Sequence, residues 1–131
     1  MICELLFDAR QRILLIRMGP ALTPEALQFM QAAVARFRAA HGGCPGILDF
    51  TLTEQVAVPL ADLVALAKRR PVMAGTRRVF VAASDVTYGL CRMVGTYQDF
   101  GGNAPEIVRS LAEAYVVLGI ADASFEPFEA M

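Results

Sequence analysis

The sequence predicts one α/β domain: a mixed, mostly parallel sheet of four to five strands with about four helices. Three observations predict it. Short apolar runs of strand length alternate with longer stretches in which apolar residues recur every three or four positions. The first two strand-like runs are separated by only a short polar connection, which makes an antiparallel hairpin. The chain has 131 residues, 56% hydrophobic and 19% charged, enough for one packed core and too apolar for a disordered tail.

Met1 to Phe7 is apolar apart from Glu4, and Asp8-Ala9-Arg10-Gln11 is polar enough to turn. Arg12 to Met18 follows, and its unbroken Ile13-Leu14-Leu15-Ile16 run predicts a strand buried on both faces. Gly19-Pro20 breaks it. Thr23-Pro24-Glu25 is a helix start, with a hydroxyl at the N-cap, proline at the first helical position and an acid near the positive end of the dipole. Ala26, Met30, Ala33 and Phe37, with Leu27 and Val34 beside them, give this helix one apolar face. His41-Gly42-Gly43 ends it.

Ile47 to Thr51 is the strand on which the rest is organised. Leu52 to Val58 could extend that strand or line a loop. Pro59 then opens a helix with an apolar stripe at Leu60, Leu63, Val64 and Ala67, and Lys68, Arg69 and Arg70 fall at its negative end. Val79 to Ala83 is another strand. Ser84 and Asp85 can cap the next helix, whose expected buried stripe is Val86, Leu90, Met93, Val94 and Tyr97, ending at Gly101-Gly102. Glu106 to Arg109 is a short strand, Ser110-Leu111-Ala112-Glu113 has the spacing of a capping box, and the last helix closes at Gly119. The domain is expected over residues 1–119, with 120–131 an acidic, aromatic tail that packs on the domain or is disordered.

Composition narrows the function. A net charge of −1 gives no general pull toward nucleic acid. No apolar run approaches the ~20 residues of a membrane helix, and Met1-Ile2-Cys3-Glu4 lacks the basic start of a signal peptide. A cytoplasmic protein without membrane insertion is therefore expected. Cys3, Cys44 and Cys91 are odd in number and widely spaced, which fits reduced, buried thiols better than a disulfide framework or zinc knuckle. One histidine and scattered cysteines do not make a metal set, and no cofactor is expected.

A hairpin, a helix starting Leu22-Thr23-Pro24-Glu25 and a strand ending Asp49-Phe50-Thr51 resemble the STAS-like superfamily, which includes anti-sigma-factor antagonists and cytoplasmic domains of sulfate transporters. The likeness is strongest to the SpoIIAA-like branch of small bacterial proteins, which carries a strand, then Ser/Pro-Asp, then aromatic-Gly-x-x-Arg-Met. Here that segment reads Val79 to Met93, with Ser84-Asp85 and Tyr88-Gly89-Leu90-Cys91-Arg92-Met93. Ile107 to Gly119 is similar to the branch's ending. The resemblance spans residues 1–119 and implies a mixed sheet of four or five strands with helices largely on one side. It also implies a regulatory module without enzymatic activity. In phosphorylated antagonists a serine opens the helix after the pivot strand. Val56-Ala57-Val58-Pro59 stands there in this chain, so the phosphoswitch is expected to be absent.

The chemistry searched for is sparse. His41 has no nucleophile motif around it and reads as a cation at a helix end. His41-Gly42-Gly43-Cys44-Pro45-Gly46 is glycine-rich, but it follows a helix and precedes a strand, the reverse of a phosphate cradle. Lys68, Arg69, Arg70, Arg77 and Arg78 form a basic cluster with no interleaved aromatics to stack bases, and read as solvated charges. Tyr88 and Arg92 share a helix face, where phenol and guanidinium can hold a carboxylate or phosphate, with Asp85 as a possible salt-bridge partner of the arginine. The candidate binding residues are therefore Asp49, Thr51, Val56, Val58, Asp85, Tyr88 and Arg92, beyond the carboxyl ends of the predicted parallel strands. The expected occupant is a protein partner or small ligand, with a homodimer also possible. The competing view is a binding protein or enzyme for an anionic metabolite, with Tyr88 and Arg92 as anchor.

Overall fold

The computed structural model describes residues 1–98 and 104–130. The expected helix stop at Gly101-Gly102 lies outside the described residues. The chain runs β1 (Cys3–Asp8), β2 (Ile13–Met18), β3 (Ala21–Leu22), α1 (Pro24–His41), β4 (Gly46–Asp49), β5 (Gln55–Val56), α2 (Leu60–Ala67), β6 (Arg78–Val81), α3 (Asp85–Tyr97), β7 (Glu106–Val108), α4 (Leu111–Leu118) and β8 (Glu126–Ala130).

Among the described residues the main sheet has six strands in the order β7-β6-β4-β2-β1-β8, and β3 pairs with β5 in a separate ribbon. The ladders β2–β4, β4–β6 and β6–β7 are parallel, whereas β1–β2 and β1–β8 are antiparallel. The sheet is therefore mixed rather than mostly parallel, and larger than the four to five strands expected. The difference comes from the segment after Gly119: residues 126–130 add an antiparallel strand beside β1.

Topology decides which face each helix covers. From β2 to β4, β6 and β7 the chain steps across the sheet in one direction, and right-handed crossovers made in one direction keep their helices on one face. α1, α2 and α3 accordingly form a single layer. After β7 the chain returns to the far edge, so the same handedness sends α4 over the opposite face. Strand alternation matches both layers. Leu14, Ile16, Phe80 and Ala82 point to the three-helix layer, while Ile13, Leu15, Ile47, Val79 and Val81 point to α4. β2 is thus buried on both sides along Ile13–Ile16, as its apolar run implies.

The helix ends follow local chemistry. Thr23 Oγ1 accepts the Ala26 amide at 3.1 Å, and Ser84 Oγ accepts the Thr87 amide at 3.1 Å. Ser110 and Glu113 close a reciprocal capping box, and Gly119 ends α4 in the left-handed region at φ 66°. α3 departs from its expected stripe. Its buried residues are Thr87, Cys91 and Gly95, whereas Val86 and Tyr97 are exposed. The small residues let the helix lie close to the sheet, which turns the larger apolar side chains to its flanks. Leu60 of α2 is likewise exposed, leaving Leu63 and Ala67 as that helix's buried residues.

Candidate functional site

The seven residues singled out from the sequence fall into separate settings. Asp49 is buried on the α4 side, where its Oδ1 accepts the Thr51 amide at 2.9 Å and its Oδ2 lies 3.9 Å from Arg17 Nε. Arg17 also reaches Glu4 at 3.6 Å. Tyr115 of α4 feels this pair: burial raises its phenol above the usual range, Arg17 opposes the shift and Asp49 reinforces it. The Thr51 side chain is exposed. Val56 and Val58 pack on the three-helix layer.

Asp85 and Tyr88 are organised by a different arginine from the one expected. Arg109 Nη1 pairs with Asp85 Oδ1 at 2.9 Å, and its guanidinium lies 3.9 Å from the centroid of the Tyr88 ring. The same group donates to the Ala83 carbonyl at 3.3 Å. Arg109 leaves β7 directly over the start of α3, so it wins the contact that i,i+4 spacing suggested for Arg92. Arg92 is exposed, and among the described residues no hydrogen bond or ion pair holds its side chain. Apart from the Thr51 amide on Asp49, no side-chain hydrogen bond or ion pair links the seven residues.

The basic cluster is also divided. Arg77 is tied to Glu106 at 2.8 Å across neighbouring strands. Arg78, the first residue of β6, turns inward on the same face as Phe80 and Ala82 and is buried. Its Nη1 donates to Gln98 Oε1 at 2.7 Å and its Nη2 reaches the Gln98 carbonyl at 3.4 Å, while burial lowers its pKa. Lys68 lies 5.5 Å from the Tyr97 ring centroid.

Arg78 borders a cavity of about 160 Å³ between the sheet and the three-helix layer. Leu14, Ile16, Leu48 and Phe80 form its sheet side. Leu27, Met30 and Val34 of α1, Leu63 and Leu66 of α2, and Leu90 and Val94 of α3 form the walls. Leu22 and Val56 bring the small ribbon to it. Among the described residues, its ionisable lining residues are Arg69, Arg70, Arg78 and Cys91, with no carboxylate. Burial pushes the Cys91 thiol up to about 12, so it stays protonated and is a poor nucleophile at neutral pH.

The charged end of the cavity lies where β4 and β6 begin. Gly46 and Arg78 are register partners there, and both line it. Arg38 of α1 donates to the Val72 carbonyl, which holds the segment after α2 at that same end. This is opposite the strand ends at which the sequence places a ligand. Of the seven candidates only Val56 lines the cavity. The inward aim of Arg78 was available as a signal, because strand alternation puts it in phase with Phe80 and Ala82. The cavity itself carries no sequence mark, since its walls are the same apolar stripes that would close on each other in a filled core.

No helix among the described residues is long and apolar enough to cross a membrane, and no group of His, Cys, Asp and Glu among them could hold a metal ion. Comparison with family models, curated proteins and solved structures finds no match to the chain.

Proposed function

We propose that the protein is a non-enzymatic regulatory binding module of the STAS-like type that holds a small apolar ligand between its sheet and the α1–α3 layer. The cavity carries this reading. Protein interiors pack with few voids larger than a water molecule, and this cavity of about 160 Å³ far exceeds that. An apolar pocket with a few convergent polar groups is the usual form of a ligand site. The resemblance in element order and in Ser84 to Met93 supports the module class.

Regulation would pass through α2. Its N-cap is Pro59, with no side-chain cap hydrogen bond, and it has only eight residues, so it depends on packing for its order. Val56 and Leu63 both line the cavity. A ligand would therefore order the connection from Thr51 to Val58 and the helix after it, the surface offered to a protein partner. No hydroxyl stands at that helix start, so occupancy would replace phosphorylation as the switch.

The test is a titration with 1-octanol followed by methyl resonances of Leu63, Leu66 and Met73. Saturable shifts are expected in the wild type and not in a folded Cys91→Phe variant, which fills the space. Absence of saturable shifts in the wild type, or equal shifts in both proteins, would reject the cavity as a site.

A further inference from the structure

We infer that the ligand is an amphipathic acid, with its apolar body in the cavity and its carboxylate at Arg69 and Arg70. This rests on the cavity reading above and names the chemistry of its occupant. The walls are mostly apolar, with Gln31, Thr87 and Gln98 the uncharged polar side chains among them, so they select a hydrocarbon or aryl body. An engineered cavity of about 150 Å³ admits benzene, so this one suits a body of about six to ten non-hydrogen atoms.

Charge selects the rest of the molecule. Among the described residues, three arginines and no carboxylate line the cavity. Arg78 is committed to Gln98 on the inside. Arg69 and Arg70 follow the C-terminal turn of α2 and are exposed, and among the described residues neither guanidinium has an ion pair or hydrogen bond. Lys68 precedes them as the C-cap residue of α2 and lies over the Tyr97 ring. Arg69 and Arg70 thus stand free at the rim of an apolar chamber. An amine would meet three like charges at this end, and a neutral ligand would leave both free guanidiniums without a partner. A carboxylate matches the planar donor fork of arginine.

Isothermal titration with octanoate, 1-octanol and octylamine tests this. In the wild type at low salt, octanoate is expected to bind about tenfold more tightly than octanol, the scale of two partly exposed ion pairs. Octylamine is expected to bind least. Added salt should shrink the preference, and Arg69→Gln with Arg70→Gln should bring the octanoate-to-octanol ratio to about one while octanol affinity holds. Both substitutions lie on exposed positions outside the core, so the variant is expected to fold. Equal affinity for octanoate and octanol in the wild type, or a preference that survives the double substitution, overturns the acid while leaving the cavity as a site. Failure of both probes overturns both readings. Capture on phosphatidylglycerol vesicles without any response to octanoate would assign the arginines to a membrane surface and overturn the soluble acid.

Discussion

A carboxylate inside a protein survives only if donors replace its water, and Asp8 shows how this chain meets that condition. It ends β1 and is almost fully buried. Its Oδ1 accepts the Gln11 amide at 2.9 Å, and its Oδ2 accepts Gln11 Nε2 at 3.0 Å and the Ser124 amide at 3.0 Å. The bond from Ser124, then that from Gln11, holds its pKa below the usual carboxylate value. The ionised form is therefore favoured in the folded state. Its stabilising effect is complete above the unfolded value of about 3.9 and is lost as pH falls from there through the lower folded value. Urea midpoints measured from neutral pH down through this range should fall more steeply in the wild type than in Asp8→Ala. Parallel curves would show that Asp8 has no linkage to folding. Gln11 also bonds the Ala121 backbone in both directions, at 2.9 Å to its carbonyl and 3.3 Å from its amide. The first turn thus clamps residues more than a hundred positions away.

At the scale of elements, the helix starts were legible because caps are local. Thr23, Ser84 and the Ser110–Glu113 box need only their own next three residues to be satisfied, and all three form. Burial was less legible in α3, because hydrophobicity alone chose Val86 and Tyr97 for the core. Close approach to the sheet favours the smallest side chains on the contact face, and Thr87, Cys91 and Gly95 occupy it. Gly89 lies in the same helix on an exposed side, and a Cβ built there meets nothing within 4 Å. Its place in Tyr88-Gly89-Leu90-Cys91-Arg92-Met93 therefore has no packing cause within this chain. Gly89→Ala is expected to stabilise the isolated protein by about 1 kcal/mol, the difference in helix propensity, read as a higher denaturation midpoint. A loss of stability would mean that α3 is constrained at Gly89 by a contact the monomer structure does not contain.

The whole molecule is where sequence reasoning reached half-way. The hairpin and the repeated strand-helix units were readable as periodicity, and right-handed crossovers then place α1, α2 and α3 together. What was not readable is the return: no local pattern in residues 120–130 says that α4 carries the chain across the second face to the opposite edge. Glu126-Pro127-Phe128 looks unlike a strand, and the pairing shifts register between Leu5 and Leu6, opposite the proline that cannot donate to a ladder. The strand is held by distant partners instead. Phe128 meets Phe37 at 5.2 Å and His41 at 5.6 Å between centroids, and Phe125 stacks on Tyr115 at 6.2 Å. β8 therefore closes both helical layers and covers the edge of β1, whose exposed backbone would otherwise pair with another chain. Removing residues 126–131 is expected to cost at least about 2 kcal/mol, somewhat less than truncation of a fully buried phenylalanine because Phe128 is partly exposed. It should also produce concentration-dependent self-association in sedimentation velocity. Phe128→Ala, which keeps the backbone ladder, should lose part of that stability and remain monomeric at concentrations where the truncated chain associates. If truncation left both the midpoint and the sedimentation coefficient unchanged, β8 would be an accessory to the sheet. The β1 edge would then need another explanation for staying unpaired.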